Sequence, residues 1–337
     1  MTGNSEISTS YQSIGVIGAG AWGTALAVAA AQAGRKVTLW AREPDLVTQI
    51  QGSAENGMYL PGVALPANIV ATGDIATAVK ADALLLVVPA QHLRTSLRDI
   101  TRHVSKGTPL VLCAKGIEKT TGELLTEILA EAAPDCAPAI LSGPSFAKDV
   151  ARNMPTAVTI AARMDIALRL QAALGHATFR PYASDDIIGV ALGGAAKNVY
   201  AIASGIVDGM GLGESARAAL IARSFAELTR LGTALGAKPE TLMGLSGLGD
   251  LVLTATSKSS RNFSFGHALG EGRTLKELDA PGHALAEGVE TAPAIVKRAK
   301  KEGIELPIAE AVAAVLDGSL PLGEAVLRLM SRPLKPE

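Results

Sequence analysis

Ile14-Gly15-Val16-Ile17 is a short apolar run, and Gly18, Gly20 and Gly23 follow it directly. Strong helix formers come next, in Thr24-Ala-Leu-Ala-Val-Ala-Ala-Ala-Gln-Ala. A buried strand, a glycine turn and a helix in that order leave few folds open to the segment. Gly18 permits the tight turn, Gly20 lets the backbone approach an anion, and Gly23 lets the helix lie close to the sheet. The first N–H groups of the helix are unpaired and carry a partial positive charge, which suits a pyrophosphate. The pattern therefore points to a dinucleotide. A plain βα turn that binds nothing has the same glycines, so the rest of the chain has to decide.

Strand-like and helical runs alternate through the first half. Lys36–Trp40 reads as a second strand, and Ala83–Val88 and Pro109–Ala114 as strands buried on both faces. Ala139–Ser142 and Thr156–Ala161 are further candidates, and Thr121–Ala132 is a helical stretch between strands. This alternation implies a parallel, doubly wound sheet. After about Ser184 the strand signals become scarce. Asp185 or Asp186 can cap a helix running to Asp208, and Gly213–Gly236 reads as one long helix. More helices are expected at Thr274–Asp279, Thr291–Lys301 and Ile308–Leu316. The expectation is an α/β chain: a polar extension over 1–12, a Rossmann-type dinucleotide-binding domain over 13–184 and an all-α domain over 185–337.

Composition narrows the function classes. The chain has 337 residues, 48% of them hydrophobic and 3% aromatic, with a formal net charge of −1. Neither bulk charge nor base-stacking rings argue for nucleic acid or a membrane surface. Cys113 and Cys136 are far apart and lack metal-ligand spacing, as do the five histidines. No signal peptide and no uninterrupted apolar run of membrane-spanning length stands out, so a cytoplasmic protein without a metal is expected.

In NAD-binding turns an acidic residue ends the second strand and takes the ribose 2′-hydroxyl. Here Ala41 holds that position and Arg42-Glu43 follow. A guanidinium suits a 2′-phosphate, so NADP(H) should be tolerated or preferred, with Glu43 keeping NAD open. Ligands of open α/β sheets bind beyond the carboxyl ends of the strands. The loops there are Pro89-Ala-Gln-His92, Ala114-Lys-Gly-Ile-Glu118 and Ser142-Gly-Pro-Ser-Phe-Ala147. Lys115 leaves a buried strand end, a costly place for an unused ammonium.

Two segments stand out in the helical half. Gly193-Gly-Ala-Ala-Lys197-Asn198 places small residues inside a helix, where each glycine costs about 1 kcal/mol. Such a stretch admits either another backbone or a cofactor. A lysine desolvated there would have a lowered pKa and could carry protons near neutral pH. Between Gly244 and Gly266 lie Asp250, Thr254, Ser260, Arg261 and Asn262. That mixture suits a phosphate site, with Asp250 free to orient a lysine.

Taken together, six motifs resemble the bacterial NAD(P)-dependent glycerol-3-phosphate dehydrogenases. They are Gly18–Ala27, Lys115–Glu118, Leu141–Ala147, Ala196–Ala201, Gly247–Leu251 and Ser260-Arg-Asn, in that order along the chain. The resemblance implies a Rossmann domain and a helical domain like the C-terminal one of 6-phosphogluconate dehydrogenase. It also implies interconversion of dihydroxyacetone phosphate and sn-glycerol 3-phosphate, for glycerophospholipid synthesis, by a homodimer. Lys197 would accept the proton in the oxidation direction, and Lys115 would touch both cofactor and substrate. Gly143, Ser145, Asp250, Ser260, Arg261 and Asn262 would line the substrate site, with Asn198 and Thr254 beside them. Gly18, Gly20, Ala21, Trp22, Gly23, Arg42, Ala147, Leu285 and Glu287 would line the cofactor, and Arg261 would reach both. Ala21 stands where the family often has serine, and the polar extension before Ser13 is longer than usual. The alternatives are another reductase of this architecture, such as a β-hydroxyacid or ketopantoate-type enzyme, and a non-catalytic dinucleotide sensor.

Overall fold

The computed structural model describes residues 10–278 and 286–332. By internal contacts the chain forms two units, one of residues 1–114 and 126–190, the other of 115–125 and 191–337.

The first unit is built on β1 (Ser13–Ile17), β2 (Lys36–Trp40), β3 (Ile69–Thr72), β4 (Ala83–Leu86), β5 (Pro109–Leu112), β6 (Ala137–Ser142), β7 (Thr156–Ala162) and β8 (Phe179–Ser184). Its helices are α1 (Ala21–Gln32), α2 (Pro44–Ser53), α3 (Ile75–Ala78), α4 (Leu93–Ile100), α5 (Leu125–Ala132), α6 (Ala147–Ala151) and α7 (Met164–Leu174). The strands form a single sheet in the order β3-β2-β1-β4-β5-β6-β7-β8. Every residue of β4 and β5 is buried, as expected of central strands covered on both faces.

The sheet is mixed, which corrects the expectation of parallel strands throughout. β6 and β7 pair antiparallel, Leu141 opposite Ile160, while the other neighbours are parallel. A parallel return needs a crossover long enough to run back along the sheet. The only helix between β6 and β7 is the five-residue α6, which rises about 7 Å. The chain therefore reverses beside its own strand. Two strands escaped the sequence reading, β3 and β8, and these are the two edges of the sheet. Both are only partly buried; Arg180, Pro181 and Ser184 break up the apolar residues of β8, and β3 offers only Ile69-Val70-Ala71. Pro181, which has no N–H to give a ladder, is tolerated in β8 because that strand is an edge.

The second unit holds most of α8 (Ile187–Gly209), then α9 (Glu214–Ala234), α10 (Pro239–Met243), α11 (Asp250–Thr256), α12 (Arg261–Gly270), α13 (Leu275–Leu278), α14 (Glu287–Lys301), α15 (Pro307–Leu316) and α16 (Leu322–Met330). Asp186 caps α8 by accepting the Gly189 N–H at 2.8 Å. α8 has the length and apolarity of a membrane-crossing helix, but 89% of its most apolar stretch is buried inside the protein. Its backbone meets that of α12 directly. A methyl group on Gly205 would overlap the Phe263 carbonyl, and one on Gly266 would overlap the Ile202 carbonyl. Glu227, buried in α9, accepts N–H groups from Ile308 at 2.7 Å and Ala309 at 3.3 Å, which holds the first turn of α15. The segment around Lys115 packs with these helices, since Ile117 and Leu124 bridge each other and join the helical core.

Candidate active site

In the first unit the glycine turn has the geometry its sequence promised. Gly18 has φ +117°, and a side chain there would press on the Val87 carbonyl. A methyl on Gly23 would overlap the Gly18 carbonyl, so α1 packs onto the turn itself. Gly20 has no atom within 4 Å of the place a side chain would fill. It is also the N-cap of α1, with no side-chain cap and no acid in the first turn. The first N–H groups of the helix and its dipole are therefore left for an anion. Beside them the Trp22 indole nitrogen is buried with no hydrogen-bond partner. Open space at Gly20, an uncapped helix and an orphaned donor fit a dinucleotide pyrophosphate. Ala21 adds no hydroxyl. Arg42, just past β2, is 80% exposed and reaches Glu43 at 3.2 Å.

Other expected residues of this unit lie at the end of β6. Gly143, at φ +150°, would place a side chain 2.8 Å from the Val158 Cα, so glycine is required there. Ser145 Oγ donates to the Gly143 carbonyl at 3.0 Å, and the Ser142 hydroxyl is buried without a partner. Ala147 opens α6 and packs against the core of this unit. The Pro89–His92 loop becomes a 3-10 turn that leads into α4.

The second unit gathers the charged residues. Asp250 is wholly buried, and its two carboxylate oxygens accept from two lysines. Lys197 Nζ lies 2.5 Å from Oδ1, and Lys115 Nζ lies 2.6 Å from Oδ2. Lys197 also donates to Thr254 Oγ1 at 2.8 Å. The small residues of α8 explain this geometry. Gly193 would place a side chain 2.5 Å from the Ser246 carbonyl and 3.0 Å from the Gly247 Cα, so the two backbones touch there. Four residues beyond Gly193 stands Lys197, and four beyond Ser246 stands Asp250. The stretch Leu245–Gly249 is a π-helical turn, a local widening often found at functional sites, and it delivers Asp250 to the lysine. Gly193 thus serves backbone packing, and the packing seats Lys197.

Burial pushes the Lys197 ammonium down to about 8; Asp250 opposes that shift and Lys115 adds to it. Glu287, the first residue of α14, has its carboxyl pushed up by burial, while Arg261, Lys115 and Lys197 pull the other way. All four side chains therefore share one electrostatic neighbourhood. Ser260 is the N-cap of α12, accepting the Phe263 N–H at 3.2 Å, and Arg261 is the exposed first residue of that helix. Asn262 Nδ2 donates to Asn198 Oδ1 at 2.9 Å, and its own Oδ1 accepts the Gly288 N–H at 2.9 Å. Both asparagines therefore tie α8, α12 and α14 together. Leu285 lies outside the described residues. Among the described residues, no three metal-ligating side chains cluster.

Models of one family match the chain in both units. The model for the N-terminus of NAD-dependent glycerol-3-phosphate dehydrogenase matches residues 13–167, and that for its C-terminus matches 186–327. The chain belongs to the NAD-dependent glycerol-3-phosphate dehydrogenase family. Within it, the glycerol-3-phosphate dehydrogenase (NAD(P)+) of Parvibaculum lavamentivorans is 58% identical over 97% of this chain and 98% of that protein. The same-named protein of Caulobacter vibrioides is 54% identical over 97% of this chain and 99% of that protein. The crystal structure of glycerol-3-phosphate dehydrogenase from Coxiella burnetii superposes with a TM-score of 0.91 at 39% identity, covering 96% of this chain and 99% of that one. A ketopantoate reductase family structure from Ralstonia eutropha reaches a TM-score of 0.57 at 17% identity, which shows a shared fold only.

This member of the glycerol-3-phosphate dehydrogenase family also contains residues that sequence reading missed. Asn56 and Thr24 sit behind the glycine turn with no solvent exposure. Gly288, where a side chain would lie 2.6 Å from the Asn198 carbonyl, brings α14 against α8. An asparagine in a loop or a glycine at a helix start has no local mark of such a partner.

Proposed function

We propose that the chain reduces dihydroxyacetone phosphate to sn-glycerol 3-phosphate reversibly with NAD(P)H, and that Lys197 carries the proton. Its site chemistry follows from the residues in the second unit. When bound, the reduced nicotinamide supplies a hydride to the substrate C2. Negative charge then develops on the C2 oxygen, which needs a proton. With its ammonium at about 8, Lys197 is mostly protonated at neutral pH and can give that proton. In the oxidation direction the neutral amine takes it back from the C2 hydroxyl. Asp250 and Thr254 fix where Lys197 Nζ can go, and Lys115 adds positive charge beside the developing oxyanion.

Arg261, Asn262 and Ser260 stand at the N-terminus of α12, where the helix dipole also favours an anion. In this reading Arg261 takes the substrate phosphate through its forked donors, with Ser260 and Asn262 beside it. Gly143 and Ser145 complete the substrate contacts. Gly18, Gly20, Ala21, Trp22 and Gly23 hold the dinucleotide, with Arg42, Ala147, Leu285, Glu287 and Arg261 as its further contacts. The Rossmann domain is assigned 13–184 and the helical catalytic domain 185–337.

The observation that carries the assignment is Lys197, buried and bonded to Asp250 beside a second lysine. It is tested by absorbance at 340 nm with dihydroxyacetone phosphate and each reduced cofactor. Oxidation of NADPH or NADH is expected, and no oxidation of either would overturn the reading. Arg261→Ala should lose about a hundredfold in kcat/KM for the phosphorylated ketone. An equal loss with unphosphorylated dihydroxyacetone would deny Arg261 the phosphate. Homodimerisation, a cytoplasmic setting and the supply of glycerophospholipid backbones belong to the same proposal, on the family resemblance. Analytical ultracentrifugation decides the first.

A further inference from the structure

The glycine turn is held from behind. Asn56, in the loop after α2, has no solvent exposure. Its Nδ2 donates at 2.8 Å to the carbonyl of Ala19, between Gly18 and Gly20, and at 2.8 Å to Thr24 Oγ1. Its Oδ1 accepts the Tyr59 N–H at 3.1 Å, so the carboxamide cannot flip without losing bonds at both ends. Thr24 Oγ1 in turn donates to the same Ala19 carbonyl at 3.3 Å.

The Ala19–Gly20 peptide is planar and trans, so its C=O and N–H point in opposite directions. Two buried donors hold the carbonyl inward. The Gly20 N–H is thereby turned outward, on the residue whose side-chain position is open space. Gly20 on one side of this peptide is conformationally permissive, so the two donors restrain its rotation.

We propose that Asn56 is a positioning residue for cofactor binding: it aims the Gly20 N–H at the dinucleotide pyrophosphate by fixing the Ala19 carbonyl. This rests on the dinucleotide reading of the turn. Asn56 touches no cofactor itself. Its removal acts on the affinity of the pyrophosphate and leaves the proton chemistry of Lys197 alone.

The test measures NADPH binding by fluorescence and ADP-ribose binding by calorimetry. ADP-ribose carries the pyrophosphate without the nicotinamide. Asn56→Ala and Asn56→Asp, the latter of equal shape but without the donor, should each raise both dissociation constants about tenfold. At saturating NADPH, kcat and the KM for dihydroxyacetone phosphate should stay within about twofold. Asn68 is the structural control. Its Nδ2 makes two comparable bonds, to the Ala31 and Arg35 carbonyls, at the far end of α1. Asn68→Ala should lower the melting temperature and leave the dissociation constants unchanged. If the Asn56 variants fail to fold, Thr24→Val removes the longer of the two bonds to Ala19 together with the acceptor of the second Asn56 N–H. It should raise the dissociation constants about threefold. Unchanged cofactor affinity in the folded variants, or an equal loss in Asn68→Ala, would overturn the inference. A wild-type protein that binds neither ligand would instead overturn the dinucleotide reading on which it rests.

Discussion

Lys197 and Asp250 form a buried ion pair, 2.5 Å from Nζ to Oδ1, across 53 positions of sequence. Asp250 raises the Lys197 pKa while burial and Lys115 lower it, and the balance leaves the ammonium at about 8. In the reduction direction Lys197 must start protonated, so kcat/KM should fall as pH rises through about 8. In the oxidation direction the neutral amine is required, so kcat/KM should rise through the same region. Opposite limbs with one midpoint identify a single proton carrier. Lys197→Ala should remove both limbs and cost at least about a hundredfold in kcat. Near-wild-type turnover in that variant would deny Lys197 its role.

Arg42 is exposed and, among the described residues, is held by its neighbour Glu43 at 3.2 Å, so its guanidinium can turn to a 2′-phosphate at little cost. Arg42→Ala should lower the ratio of kcat/KM for NADPH to that for NADH by about tenfold, mainly through the KM for NADPH. Steady-state kinetics with both cofactors checks this. An unchanged ratio would leave Arg42 as a solvated charge.

The crossing of α8 and α12 depends on the absence of side chains. Gly266→Ala would drive a methyl into the Ile202 carbonyl, and neither helix can retreat without opening the core beneath. The expected loss is about 1–3 kcal/mol of stability, the usual cost of overpacking. Urea unfolding measures it. Gly272→Ala, at a positive-φ position with open space around it, should cost less, since only backbone strain is involved.

Glu227 makes a contribution of its own to the pH dependence of stability. Burial pushes its carboxyl up to about 7, against the N–H groups of Ile308 and Ala309, which pull it down. The folded protein therefore holds a proton that the unfolded chain, with a carboxyl near 4.5, has already released. Stability from this group is fully present below about 4.5 and is lost as pH rises through about 7. Glu227→Gln keeps an acceptor for Ile308 and cannot ionise. Its melting temperature should change less between pH 5 and pH 8 than that of the wild type. A wild-type slope retained in this variant would place the titrating group elsewhere.

What was legible in the chain was local. The turn at Gly18–Gly23 was legible because three glycines, a strand and a helix are contiguous. β4 and β5 were legible because strands covered on both faces are apolar at every position. β3 and β8 were missed because an edge strand is only partly buried: Arg180, Pro181 and Ser184 give β8 the composition of a loop, and only Ile69-Val70-Ala71 marks β3. The reversal at β7 was missed because strand direction depends on what the intervening residues 143–155 can span. Lys115 lies on the loop after β5, as expected. What the chain did not show is that this loop packs with the helices, because Ile117 and Leu124 are buried in the helical core.

The sequence by itself determined a dinucleotide turn on a doubly wound sheet, a helical second half, and a set of lysine, aspartate and arginine residues matching one family. Periods of two and 3.6 residues and contiguous motifs are properties of neighbours in the chain, and neighbours are what a sequence displays. Only the tertiary structure decided that Lys115 and Lys197 would share one carboxylate, and that Asn56 would hold the glycine turn from behind. Lys115 meets Asp250 across 135 positions, and Asn56 meets Ala19 across 37. Such pairs leave no periodic trace. Folding brings them together, and burial then turns an ordinary lysine into one that titrates at about 8.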